Sequence, residues 1–193
     1  MLTLYFAPGA SSMAPHIALQ EIGVEFASKP VSFSRQEHRS PAYLALNPEG
    51  KVPTLLVEDR PLTEVAAILF YLATRFPEAR LLPAGDSEAQ AHVLSWMSFI
   101  ASTLHPARRQ GLDHARRIYA LADRRLGGCN WAVGSYSIAD IHLFRLFWRF
   151  RNSFALAADE MPSLCWHHDR MMERPAVRRT CEVEAAIGYE LPA

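Results

Sequence analysis

The sequence predicts a mixed α/β unit followed by an all-α unit, and three observations carry that prediction. Strand-like apolar runs alternate with helical runs through the first eighty residues. A stretch rich in Pro, Gly and Asp, "PEARLLPAGDS", then interrupts the pattern. Beyond it only helical periodicity continues. The expected boundaries are residues 1–77 for the first domain, 78–87 for the linker and 88–193 for the helical domain.

Taken in order, "LTLYF" reads as a buried strand and residues 11–23 as a helix, with Ile17, Ala18 and Ile22 on one stripe and Gly23 as its stop. "EFASKPVSF" reads as a second strand, which Pro30 confines to an edge or bend. "SPAYLAL" supplies one or two helical turns before the "NPEGK" turn. "VPTLLVED" is a third strand opened by Pro53, "RPL" begins a short fourth, and residues 64–76 form a helix that Pro77 ends. The order is βαβ, a short helix, then ββα. In the second domain, residues 87–105 repeat Val93, Met97, Ile100, Ala101 and Leu104 at helical spacing. Residues 112–126 form a helix stopped by "GGCN", Ser137 opens another, and Pro162 and Pro175 punctuate two more.

Composition narrows the function. Lys plus Arg and Asp plus Glu both number 20 in 193 residues, so no global field attracts nucleic acid or an anionic membrane. The three cysteines, Cys129, Cys165 and Cys181, lack CxxC or zinc-ligand spacing, and reduced thiols in a cytosol fit best. The N-terminus lacks a basic n-region, and no window approaches the roughly 18 apolar residues of a membrane helix. The expectation is a soluble cytoplasmic protein without a metal.

Several stretches carry chemistry. In "APGASSMAPH", residues 7–16, a Pro8-Gly9 turn places Ser11 and Ser12 at a helix start, where hydroxyls and free backbone N–H groups can face an anion. The plainer role of the two serines is helix capping. Val52-Pro53 is compatible with a trans or a cis peptide; if cis, it turns the Val52 backbone groups outward to pair with an extended peptide. In "LTEVAAI", Thr63 is expected to cap a helix and Glu64 to occupy its first turn, where Glu64 accepts from a ligand ammonium while helix N–H groups receive a carboxylate. Ser137-x-x-Asp140 is a capping box with Asp in the N3 place, opening a helix apolar nearly all round. The Arg pairs at 108–109, 116–117 and 124–125 make a basic stripe that is solvated or faces a subunit. His167, His168 and Asp169 are adjacent and point apart, which disfavours a metal. The four tryptophans, Trp96, Trp131, Trp148 and Trp166, read as core or as the wall of a hydrophobic pocket, core being the safer reading.

At these spacings the chain resembles the glutathione transferase superfamily along its whole length. The pieces are "GKVP" before the third strand, "LTEVAAI" after the last, and the "SIADI" cap. "YFAPGASSMAPHIAL" and "FIASTLHPA" resemble the bacterial beta class. The resemblance implies a thioredoxin-like first domain, a helical second domain, and a homodimer. It also implies one glutathione per subunit as co-substrate, in a site completed by the helical domain and the partner chain. Lys51, Val52 and Pro53 lie in the implied glutathione site, the Val52 backbone pairing with the cysteinyl part. Glu64 and the Val65 N–H take the γ-glutamyl end. Gln36, beside Arg35, matches a position that is often Lys, and Ser98, Thr103 and His105 match positions near the thiol. Beta-class members usually carry Cys where this chain has Ser11, and no cysteine precedes Cys129.

A free thiol has a pKa near 8.5, and lowering it by about two units means favouring the anion by roughly 2.7 kcal/mol. A charge-assisted hydrogen bond contributes about 1.5–3 kcal/mol and a helix N-terminus up to about 1, which together suffice. The expected mechanism has Ser11 donating to the glutathione thiolate, Ser12 or a backbone N–H assisting, and His105 supplying a further donor or positioning water. The thiolate then attacks a hydrophobic electrophile, as in detoxification. Two alternatives are a non-catalytic ligand-binding or scaffold relative and a glutathione-dependent thiol/disulfide reductase; the missing cysteine argues against the latter.

Overall fold

The computed structural model describes residues 1–157 and 159–190. Two compact units divide the chain, Met1–Arg75 with Pro175–Ala193, and Phe76–Arg174. The last helix, expected in the helical domain, therefore belongs with the sheet. Glu184 on that helix explains why, since it reaches the Gly9 N–H and His16 inside the first unit.

The first unit holds four strands, β1 (Leu2–Phe6), β2 (Phe26–Pro30), β3 (Thr54–Val57) and β4 (Arg60–Thr63), in spatial order β2-β1-β3-β4. β2 is parallel to β1, as the intervening helix α1 (Met13–Ile22) requires, whereas β3 and β4 pair antiparallel. Leu4, Phe6 and Leu55 are fully buried, as is the α1 stripe of Met13, Ile17 and Leu19. Gly23 ends α1 in the left-handed region, its N–H returning to the Leu19 carbonyl. Helix α2 (Pro41–Leu44) starts at Ser40, whose Oγ accepts from the Tyr43 N–H. Helix α3 is Val65–Arg75, so Glu64 lies just outside it at φ 68, with its carbonyl accepting from the Ile68 N–H. Thr63 ends β4 opposite Thr54 and does not open the helix.

In the second unit, α4 (Ser87–Phe99) stops earlier than its apolar period. Ile100–Leu104 widens into a π-helical turn and His105–Gln110 tightens into a 3₁₀ helix; Pro106 has no N–H to continue an α-helical ladder. Helix α5 (Leu112–Leu126) ends at Gly127, and α6 (Ile138–Ser153), α7 (Pro162–Met172) and, in the first unit, α8 (Pro175–Ile187) follow. The α6 capping box forms: Asp140 Oδ2 accepts from Ser137 N at 2.9 Å, and Ser137 Oγ accepts from Ala139 N. Asp140 Oδ1 also accepts from Ala132 N and from His167 Nε2, so this buried carboxylate fastens the preceding loop and α7 to α6. Every α6 residue from Ile138 to Trp148 is buried, as a sequence apolar nearly all round requires, with Asp140, His142 and Arg145 enclosed among them.

Two readings of the surface change. Trp96 and Trp148 are core, but Trp166 is 62 % exposed, with the Arg170 guanidinium 5.3 Å from its ring. The basic stripe is partly engaged: Arg116 pairs with Glu160, and Arg125 lies 4.3 Å from the Trp96 ring while donating to Ser95 Oγ. Among the described residues no helix is long and apolar enough to cross a membrane.

Candidate functional site

The turn between β1 and α1 rests on a buried cluster of Ala7, Ala10, Val31, Tyr43 and Val52, with Tyr5 and Phe33 packed against it. Small residues at 7 and 10 let the backbone sit directly on that cluster. Ser12 is fully buried, and its Oγ accepts from Ala7 N at 3.0 Å while donating to Ala7 O at 3.1 Å. A hydroxyl carries one proton, and this one is spent on closing the turn. Neither expected role for Ser12, capping or donation to a ligand, holds: its side chain caps nothing in α1 and is turned inward. The Gly9 N–H is also taken, by Glu184 Oε2 at 2.7 Å.

Ser11 differs. It is half-buried, and its Oγ donates to Val52 O at 2.9 Å. That contact joins the mouth of α1 to the approach to β3. The Val52–Pro53 peptide is cis. The preceding stretch is held from below: the Lys51 carbonyl accepts from Tyr43 Oη at 2.6 Å and from Asn47 Nδ2 at 2.8 Å, and both side chains also meet Thr54 Oγ1. Burial pushes the Tyr43 hydroxyl above its usual pKa, so it remains a donor. Gly50, at φ 61, has to be glycine, because a Cβ there would stand 2.8 Å from the His38 carbonyl.

Gln36 and Lys51 meet at one cavity of about 650 Å³, together with His38, Arg39 and Gly50. Gln36 is left-handed at φ 57, and its Nε2 donates to Phe33 O. Lys51 pairs with Glu49 at the rim. Ser34 and Glu190 close another side of this cavity. Its walls carry the Arg39 and Lys51 cations, the Gln36 amide and the Glu190 carboxylate.

Glu64 is exposed at the head of α3 and Val65 is the first residue of that helix, so the first N–H groups of α3 lack carbonyl partners within it. A non-glycine residue at φ 68 costs roughly 1–3 kcal/mol, a strain concentrated at binding sites. Ser98 and His105 are exposed and Thr103 half-buried, all three on the α4-to-3₁₀ run of the second unit. Thr103 lies within the π-helical turn, a distortion frequent at functional sites. Tyr5 faces a second cavity of about 440 Å³, where its hydroxyl accepts from Lys29 Nζ at 3.3 Å. Among the described residues no group of three or more His, Cys, Asp or Glu side chains is placed to hold a metal ion.

Sequence reasoning missed Glu184 and Glu190. Glu184 Oε1 accepts from His16 Nδ1 at 2.9 Å, both side chains being out of contact with solvent. Glu190 is bound by Ser32 and Ser34. The only signal for Glu184 was a charge inside the apolar period of α8; Glu190 had none.

Residues 1–74 match the family model for the glutathione S-transferase N-terminal domain, and residues 85–175 that for the C-terminal domain. The chain is 31 % identical over 199 residues to glutathione S-transferase GstA of Escherichia coli O157:H7, covering 95 % of this chain and 98 % of that protein. Its fold is similar to a glutathione S-transferase from a sphingomonad complexed with glutathione (TM-score 0.85, 31 % identity, 95 % and 98 % of the two chains). A glutathione S-transferase from Xylella fastidiosa is similar to the same degree (TM-score 0.85, 32 % identity, 96 % and 99 %).

Proposed function

The chain belongs to the glutathione S-transferase family, and from that premise we propose how its own residues perform glutathione transfer. Ser11 activates the thiol. Its hydroxyl is the accessible one of the serine pair and already donates to a backbone carbonyl 2.9 Å away, which is the observation that carries this reading. When the cysteinyl N–H of glutathione takes the Val52 carbonyl, Ser11 Oγ–H is released toward the sulfur. The thiolate then attacks an electrophilic carbon. A C–S bond forms, and the electron pair leaves with the departing group or moves into the acceptor.

The remaining contacts follow the ligand's charges. Glu64 receives the ammonium of the γ-glutamyl end, and the Val65 N–H at the start of α3 receives its carboxylate. Gln36 and Lys51 hold the opposite end in the cavity that they share. Val52 supplies backbone pairing, for which the buried Tyr43–Asn47–Thr54 network keeps it fixed. Ser98, Thr103 and His105 remain proposed participants from the second unit. The electrophile is proposed to be hydrophobic and the active species a homodimer in a reducing cytoplasm, readings supported by exposed Phe70 and Leu94 and by three free thiols.

Thiolate absorbance of bound glutathione and the conjugation rate with an aryl halide, measured in Ser11→Ala and His105→Ala, test the mechanism. Loss of one charge-assisted hydrogen bond of about 1.5–3 kcal/mol is expected to slow Ser11→Ala by roughly 10- to 100-fold. An unchanged thiolate signal in Ser11→Ala removes the residue from the mechanism.

A further inference from the structure

Downstream of α8, Gly188 at φ 101 turns the chain, and the Tyr189 hydroxyl donates to Cys181 O at 3.3 Å. This delivers the Glu190 carboxylate to the turn after β2. Ser32 Oγ lies 3.0 and 2.9 Å from its two oxygens, Ser34 N donates to Oε2 at 3.0 Å, and Ser34 Oγ donates to Oε1 at 2.9 Å. Ser32 is only 8 % exposed. The amide of Ser34 and the two hydroxyls hold the Glu190 carboxyl down to about 2, as hydrogen bonding to the charged form does.

The turn does not depend on that carboxylate. Glu37 Oε2 accepts from Ser32 N at 2.8 Å, the Glu37 N–H returns to Ser32 O, Gln36 N reaches Phe33 O, and Arg35 N reaches Ser32 Oγ. With its shape fixed internally, the turn presents three converging donors to whatever anion arrives. Ser34 and Glu190 both border the cavity that contains Gln36, Arg39 and Lys51.

We propose that Ser32 and Ser34 form a carboxylate-binding subsite of this cavity, and that Glu190 is its tethered occupant, which a carboxylate of the incoming ligand displaces. The inference rests on the glutathione reading above. Gly188 is the hinge, since glycine tolerates both signs of φ. A subsite filled by the tether nine-tenths of the time lowers apparent affinity about tenfold.

The test is calorimetric titration of the full chain and of Glu190→Ala and Glu190→Gln with glutathione, and with glutathione diethyl ester, which has no free carboxylate. Glu190→Ala is expected to bind glutathione about tenfold more tightly. Glu190→Gln moves the same way by a smaller factor, because a neutral acceptor makes a weaker bond. The diethyl ester gains nothing, and adding Ser34→Ala to Glu190→Ala reverses part of the gain. Equal or weaker glutathione binding by both Glu190 variants overturns the proposal while leaving the glutathione reading intact, as does an equal gain for the ester. No glutathione binding by any form overturns both.

Discussion

Replacing Glu184 with Ala withdraws one acceptor from two buried donors at once. The Gly9 N–H, at 2.7 Å, and His16 Nδ1, at 2.9 Å, would both lose that carboxylate in a place closed to solvent. Breaking a buried pair from one side costs about 3–5 kcal/mol, and the His16 ring and the Gly9 amide both lose their bond to this carboxylate. For a chain of this length the melting temperature falls by about 2–4 °C per kcal/mol, which puts the expected drop at roughly 6–20 °C. Glu184→Gln keeps one oxygen acceptor and is expected to lose less than half as much. Thermal unfolding followed by circular dichroism measures both. Conjugation at 25 °C should also slow in the Gln variant, because Gly9 lies two residues before Ser11 in the same turn. A Glu184→Ala protein melting within 2 °C of the parent would refute the reasoning, whatever its activity.

Other outcomes follow from the same contacts. Asp140→Ala leaves Ser137 N, Ala132 N and His167 without their shared acceptor and should cost at least about 3 kcal/mol, read by urea denaturation; a loss under 1 kcal/mol would contradict it. Ser11→Cys puts a thiol where the chain has an alcohol, and a disulfide-exchange assay with a glutathione mixed disulfide should show activity absent from the parent. Gln36→Ala and Lys51→Ala should each raise the KM for glutathione several-fold with little change in kcat, in steady-state kinetics. Burial, followed by the charges of Glu184 and Glu182, pushes the Cys181 thiol up to about 11, so its neutral form persists at pH 8. Iodoacetamide should label exposed Cys129 first, with Cys181 reacting appreciably only as the pH nears 11.

Local signals in the sequence correspond closely to local structure. The apolar runs "LTLYF" and "TLLV", the Gly23 and Gly127 stops, and the Ser137–Asp140 box each depend on residues within a turn or two of one another, and each forms where its pattern lies. The end of α4 was not legible, since a π turn keeps the apolar period while shifting the hydrogen bonds, and Pro106 is the one residue that marks the change. At the site, Gln36 and Lys51 are 15 positions apart yet line one cavity, a meeting that no local pattern announces. The division of labour between Ser11 and Ser12 was hidden, because adjacent serines look equivalent until one of them is enclosed by the turn. The carboxylates of Glu184 and Glu190 act across separations of 168 and 158 residues, beyond any periodicity.

The two outermost strands of the sheet, β2 and β4, each contain a proline, Pro30 and Pro61. An imide nitrogen has nothing to offer a strand approaching from outside, and Lys29 adds a charge that would have to be stripped of water at the same rim. Neither margin is therefore a template for growth into a ribbon shared between molecules. Crowding during synthesis is accordingly less hazardous at these two margins than it would be at the edges of a bare four-stranded sheet.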